Sequence, residues 1–307
     1  MHPSQAPGPS VGGSVERIQA LTPLIDGRPE PALLGEGAAS FAEDPGAVWW
    51  VDILRKRLHR ADDGAFAPGA AAPDVWSLPH ELGAVRLIGA ARDRFDLEGA
   101  GERSLWRLSV ALGETAPRAM IELRRVADEP ATNRFNDGAE GPDGLWYAGT
   151  MDRAESAAAG RLLRFRPDGA VEVIDAGPYR VSNGPAFSPD GSVMYHTDSA
   201  RGLIYAFARK GSGWGDRSVF QRYGEGEGFP DGMCVRASGE LMVAVWGGAR
   251  LDRFAPSGAR LEAITLPARY PTRPALAPDE RAVFVTTATK PGGDVGAAGG
   301  ALLRVAL

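Results

Sequence analysis

The chain has 307 residues, 44% of them apolar, with 40 glycines, 24 prolines, one cysteine and a net charge of −5. This is ample material for a core, and glycine and proline spaced as turn punctuation suit an all-β protein. The acidic balance gives no basic face for nucleic-acid phosphates, no apolar run is long enough for a membrane span, and Cys234 has no internal disulfide partner.

Residues 1–14 (MHPSQAPGPSVGGS) lack the basic start and the apolar run of a secretory signal. They read as a flexible tail, with the cytoplasm as the default location. Within it, Gly8-Pro9-Ser10-Val11-Gly12 fits the nucleophile-elbow pattern but follows no strand and opens no helix, so it is set aside. Residues 17–25 predict a strand. Gly35-Glu36-Gly37 then heads a unit made of a short strand, a turn at 43–46 and a strand at 48–53. A second unit is predicted from 75–78, 85–90 and 105–108, with its head near 73.

Four clearer units follow, headed by Asn136-Asp137-Gly138, Asn183-Gly184, Asp231-Gly232 and Thr272-Arg273-Pro274. Each head precedes a turn (141–144, 188–191, 237–239, 277–280) and an apolar run (145–150, 193–198, 241–246, 283–288). Third strands are predicted at 162–165, 203–207, 251–254 and 301–305, and fourth strands at 171–174 and 261–266. The heads recur at steps of 47, 48 and 41 residues (136 to 183, 183 to 231, 231 to 272). Repeats of that length, each holding several short strands, predict a β-propeller. Counting heads gives six blades in one domain, 15–307. The last blade lacks an outer strand, which 17–25 would supply, closing the ring and leaving no free edge.

The first strand of each blade lines the channel of such a fold, so the polar heads should converge at one mouth. Glu36, Asn136, Asn183 and Asp231 then form a hard-oxygen set suited to Ca²⁺, Mg²⁺ or Mn²⁺. Singly, Asn or Asp before Gly makes a turn; at one register in four repeats, the set points to a site. Arg134 lies two residues before Asn136 and faces the same side of an extended segment. Its guanidinium suits ring and exocyclic oxygens, and a surface pairing with Asp137 or Glu140 is the alternative. Asp137 reads as a turn-former or a supporting partner. The histidines at 2, 59, 80 and 196 have no ligand spacing, and His196 reads as a packed strand residue. The tryptophans at 49, 50, 146 and 246 read as inter-blade packing, and the acidic loop 224–228 as a solvated border of the pocket.

Leu34-Gly35-Glu36-Gly37, 48–53, Arg134-Phe135-Asn136-Asp137-Gly138, WYAGTM at 146–151, Ser182-Asn183-Gly184, SPDGSVMYHTDS at 188–199, PDGMC at 230–234 and VWGG at 245–248 together resemble the gluconolactonase/regucalcin family of six-bladed propeller hydrolases. The resemblance runs from about 33 to 290 and is nearest to bacterial sugar-acid lactonases. It implies one divalent cation (Ca²⁺, Mg²⁺, Mn²⁺ or Zn²⁺) on Glu36, Asn183 and Asp231, with substrate contacts from Arg134 and Asn136. It also implies that Asp231 is the general base. Glu155, one residue beyond the family spacing after 149–151, is a further substrate-contact candidate. The implied reaction opens a small sugar lactone (glucono-, xylono- or arabinolactone) to its aldonic acid. The second unit departs most from the family pattern, and its loops 79–83 and 92–102 are expected to shape the pocket. Two rival readings are a propeller hydrolase of phosphotriesters or aryl esters, with an apolar pocket, and a calcium-binding regulatory protein without turnover. An interaction platform would not need polar heads converging on the channel.

Overall fold

Every polar head is followed by a tight turn that folds the chain back antiparallel, and repetition of this step builds six four-stranded sheets. The computed structural model describes residues 18–289 and 293–307, so the expected tail at 1–14 lies outside the described residues. The first strands are Gly35–Ala39, Ala84–Ala91, Asn133–Glu140, Ser182–Phe187, Phe229–Val235 and Pro271–Leu276. Each touches the next in ring order and the sixth touches the first, which makes the fold a six-bladed β-propeller. Among the described residues no helix is long and apolar enough to cross a membrane.

In the sixth blade, Ile18–Leu21 lies antiparallel to Leu302–Ala306, with Ile18 opposite Val305 and Leu21 opposite Leu302. The strand expected at 17–25 is therefore divided: Leu24–Ile25 turns back on Arg28–Pro29 as a separate hairpin.

The second head is corrected. Residues 75–78 do not open blade 2; Asp74–Ser77 is the outer strand of blade 1, paired with Arg57–Asp62. The reason is packing. Trp76 is fully buried and stacks on Trp49 of blade 1, with ring centroids 5.6 Å apart. Blade 2 begins at Ala84, 48 residues after Glu36, in step with the other repeats.

Strand alternation explains the core. Neighbouring residues of one strand point to opposite blades, so Trp49 enters the apolar layer between blades 1 and 2 while Trp50 enters that between blades 6 and 1. Leu241 and Val243 face blade 4 and Met242 and Ala244 face blade 6 in the same way. Each of the six blade interfaces holds one such cluster.

The channel is built by bulges. At Glu36, Asn136, Asn183, Asp231 and Thr272-Arg273 the first strand carries an extra residue relative to its partner. A bulge re-aims a side chain out of the pleat, here at the polar heads. Gly37, with φ at 60°, is one place where the turn demands glycine: a Cβ there would sit 2.8 Å from the Gly83 carbonyl oxygen. In blade 2 the irregularity falls lower, between Leu87 and Gly89, and no polar head enters the channel from Ala84.

Below the mouth, Arg273 of blade 6 reaches across to Asp137 of blade 3. Asp137 also accepts from the Gly138 N–H at 2.8 Å and the Gly184 N–H at 2.7 Å, so one buried carboxylate joins blades 3, 4 and 6. Burial lowers the Arg273 pKa to about 10. Removing one member of a buried pair leaves the other charge uncompensated. Arg273→Met should therefore cost roughly 3–5 kcal/mol in chemical denaturation, and adding Asp137→Asn should recover part of it. A single variant as stable as the parent would show that the pair holds no blades together.

Candidate active site

A cavity of about 400 Å³ opens at the channel mouth, and Glu36, Arg134, Asn136, Glu155, Asn183 and Asp231 all line it. Its floor is polar and buried: Glu36, Arg134, Asn136, Asn183 and Asp231 are each at most 6% exposed. Its wall is apolar, formed by Leu34, Met151, Val181 and Trp246, and its rim carries the exposed Glu155, Arg180, Ala200 and Phe229.

A relay of hydrogen bonds fixes the floor. Arg134 donates from Nη1 to Asn136 Oδ1 at 2.6 Å and to the Phe135 carbonyl at 3.0 Å. Asn136 Nδ2 donates to Asn183 Oδ1 at 2.8 Å and to the Ser182 carbonyl at 2.9 Å. Asn183 Nδ2 donates to Ser199 Oγ at 2.9 Å. Asn183 is thereby locked with its amide oxygen beside Asn136, and that oxygen keeps a second lone pair.

The two carboxylates are treated differently. Glu36 Oε2 and Asp231 Oδ1 are buried with no hydrogen-bond partner. Burial raises the Glu36 pKa to about 7, against the opposing pull of Arg273 and Arg134. Asp231 is raised well above its ordinary value by burial, then by the charges of Glu36 and Glu155. Two like charges driven out of water, each with an unanswered oxygen, are what a cation would resolve. Among the described residues no group of three or more His, Cys, Asp or Glu side chains is poised for a metal. The third protein oxygen for an ion between Glu36 and Asp231 would thus be the Asn183 amide. An all-oxygen set with two carboxylates fits a hard divalent cation.

Residues 34–289 match the sequence model of the SMP-30/Gluconolactonase/LRE-like region. The chain belongs to this family. A 6-deoxy-6-sulfogluconolactonase of Pseudomonas putida is 32% identical over 84% of this chain and 84% of its own. An L-arabinolactonase of Azospirillum brasilense is 31% identical over 83% and 81%. The solved structure of a calcium-binding protein, regucalcin, from Agrobacterium tumefaciens superposes with a TM-score of 0.78 at 25% identity, covering 90% of each chain.

Against this family frame, several residues depart from expectation. The blade 2 loops do not shape the cavity: among the described residues none of 79–83 or 92–102 lines it. They are committed elsewhere. Glu81 is ion-paired with Arg153, and His80 stacks on Trp106 at 4.0 Å and meets Glu102 at 3.1 Å. Glu81 still acts at a distance, since its charge opposes the lowering of the Arg134 pKa that burial imposes. Arg134 is no surface arginine; Glu140, its suggested partner, pairs with Arg86 at 3.0 Å. Trp246, read mainly as inter-blade packing, is also part of the cavity wall, its ring centroid 4.9 Å from that of Tyr270. His196 is buried, with Nε2 at 2.9 Å from Ser182 Oγ. Residues the sequence reading missed as site residues are Arg180 and Phe229, on a connection and a strand end where the repeat has no signature, and Ser199, which closes the 188–199 motif but carries no role in it. Arg273 stood one place after the register of the heads and could have been found there.

The raised carboxylates set a pH dependence. Between the ordinary Glu36 value of 4.5 and its folded value of about 7, the folded protein binds a proton that the unfolded chain releases. Stability conferred below the lower value is lost as pH rises through the upper one. Chelator-treated protein should therefore melt at a lower temperature at pH 8 than at pH 5 as far as these groups are concerned. Added Ca²⁺ or Mn²⁺ should raise the melting temperature more at pH 8. Equal cation effects at the two pH values would remove Glu36 and Asp231 as the linked groups.

Proposed function

We propose that this protein hydrolyses a sugar lactone to its aldonic acid, with one divalent cation held by Glu36, Asn183 and Asp231. The observation that carries this reading is the pair of unpartnered buried oxygens, Glu36 Oε2 and Asp231 Oδ1, lining one cavity with the Asn183 amide. When bound, the cation would supply a Lewis acid for the lactone carbonyl, acidify water, and return both carboxyls to their ionised form. Two of the similar proteins named above carry lactonase names, which agree on the lactone while differing in the sugar, and the third is named as a calcium-binding protein. The ion's identity and the cytoplasmic setting belong to the same proposal.

The chain's own residues have separable tasks. Asp231 takes a proton from the attacking water as its oxygen bonds to the carbonyl carbon. The proton then goes to the ring oxygen as the ring C–O bond breaks, leaving the open aldonic acid, whose carboxyl group releases its proton to water. Arg134 is pinned by Asn136 and Phe135 and presents its remaining donors to ring and hydroxyl oxygens, supplying orientation. Glu155 at the rim is a candidate acceptor for a substrate hydroxyl. The apolar wall is the one observation that favours the rival aryl-ester or phosphotriester substrate, although the C–H faces of a sugar ring also suit it.

Two variants test the assignment. Asp231→Asn should keep the circular-dichroism spectrum while lowering kcat/KM on gluconolactone by about 10²–10⁴-fold; turnover near the parent value would place the base elsewhere. Arg134→Ala should raise KM for the lactone and leave cation affinity by calorimetry nearly intact, because a guanidinium has no lone pair to give a metal. Collapse of cation affinity in that variant would make Arg134 a support of the floor.

A further inference from the structure

The apolar side of the cavity continues past its buried wall onto the rim, where it ends in an aromatic ring that the fold does not use. Phe229 is 49% exposed, belongs to none of the six clusters between blades and makes no ring contact among the described residues. A lone apolar residue on a surface needs no explanation, but Phe229 lines the cavity together with Trp246. The two stand directly opposite each other across the first antiparallel pair of blade 5, so their side chains leave the sheet on the same face. Trp246 is anchored by Tyr270, its ring tilted at 47° to the tyrosine, and its indole N–H donates to no acceptor among the described residues. The chain reaches Phe229 through Gly228, at φ 86°, where a Cβ would lie 2.8 Å from the Trp246 carbonyl oxygen. An approach that only glycine permits thus holds the two aromatic residues side by side.

The floor makes the contrary demand. Both hydrogen bonds of Arg134 leave from Nη1, so its Nε and Nη2 meet no hydrogen-bonding acceptor among the described residues. A wholly apolar occupant would take water from these donors and put nothing in its place. A wholly polar one would bury hydroxyls against Phe229, Trp246 and Met151. A saturated sugar ring answers both demands, because equatorial hydroxyls point outward from its edge while C–H bonds cover its faces. Those weakly positive hydrogens suit the negative face of an aromatic ring.

We propose that Phe229 and Trp246 form the platform on which one C–H face of the lactone ring lies, and that they select six-membered lactones with equatorial hydroxyls. The inference rests on the lactonase reading. Stereochemistry makes it specific. In glucono-1,5-lactone every ring hydroxyl is equatorial. The manno and galacto epimers turn one hydroxyl onto one face of the ring, and the allo epimer turns one onto the other. An axial hydroxyl on the stacked face lifts the ring from the platform and loses its water. One on the free face does neither.

The test measures kcat and KM of the full chain, with added divalent cation, on glucono-1,5-lactone and these three epimers. The parent should discriminate by about three- to tenfold against either the manno and galacto pair or the allo lactone, and the side that loses identifies the stacked face. Phe229→Ala should melt with the parent, raise KM for gluconolactone by about three- to tenfold at nearly unchanged kcat, and shrink the discrimination. Phe229→Tyr, which restores a ring, should recover both. Binding of glucono-1,5-lactam, a ring analogue that resists hydrolysis, should change the tryptophan emission of the parent and not that of Trp246→Phe. The same change in both proteins overturns the part given to Trp246. A parental KM in Phe229→Ala, or epimer ratios identical in the two proteins, overturns this inference while leaving the lactonase reading standing. Hydrolysis of none of the four lactones overturns that reading and this inference with it.

Discussion

Uncompensated negative charge at the channel mouth is the constraint on which the rest of the site depends. Glu36 and Asp231 come from blades 1 and 5, with blade 6 between them, and are both buried, each with an oxygen that receives no hydrogen bond. The two cations near enough to help are already engaged. Arg273 is held by Asp137, and Arg134 is turned toward Asn136 and the Phe135 carbonyl. A floor arranged in this way presents two buried carboxyl oxygens that no side chain answers. The raised carboxyl pKa values express the same fact in protons.

Holding two like charges together requires a scaffold that does not relax away from them. The propeller meets this need because Glu36, Asn136, Asn183 and Asp231 sit at bulges of first strands, and apolar layers fill the spaces between blades. The Asp137 carboxylate adds a polar tie below the mouth, binding blade 3 to the Gly184 amide of blade 4 and to Arg273 of blade 6. Asn136 and Asn183 link blades 3 and 4 again at the floor itself. Packing therefore fixes the floor, hydrogen bonds fix its side chains, and the exposed rim is left to vary without disturbing either.

Much of this was legible in the sequence because the repeat places one polar head per unit. The steps of 47 and 48 residues located Asn136, Asn183 and Asp231 on equivalent strands. Blade 2 was misread because Ala84 offers no polar head, and the run 75–78 taken as its opening falls on the outer strand of blade 1. The unbroken step of 48 from Glu36 to Ala84 was the signal that would have corrected it. The Asp137–Arg273 tie was illegible for another reason: a contact across the channel joins residues 136 positions apart, and no local pattern records it. Arg180 escaped for a third, since rim residues lie on connections where the repeat imposes neither spacing nor residue type.

The most direct measurement of the central claim is anomalous diffraction from crystals soaked in Mn²⁺ after chelator treatment. The expected result is one strong peak at the channel mouth, about 2.0–2.6 Å from oxygens of Glu36, Asn183 and Asp231. A map with no peak among these three side chains, or with the ion bound elsewhere and the two carboxylates answered by hydrogen bonds alone, would contradict it.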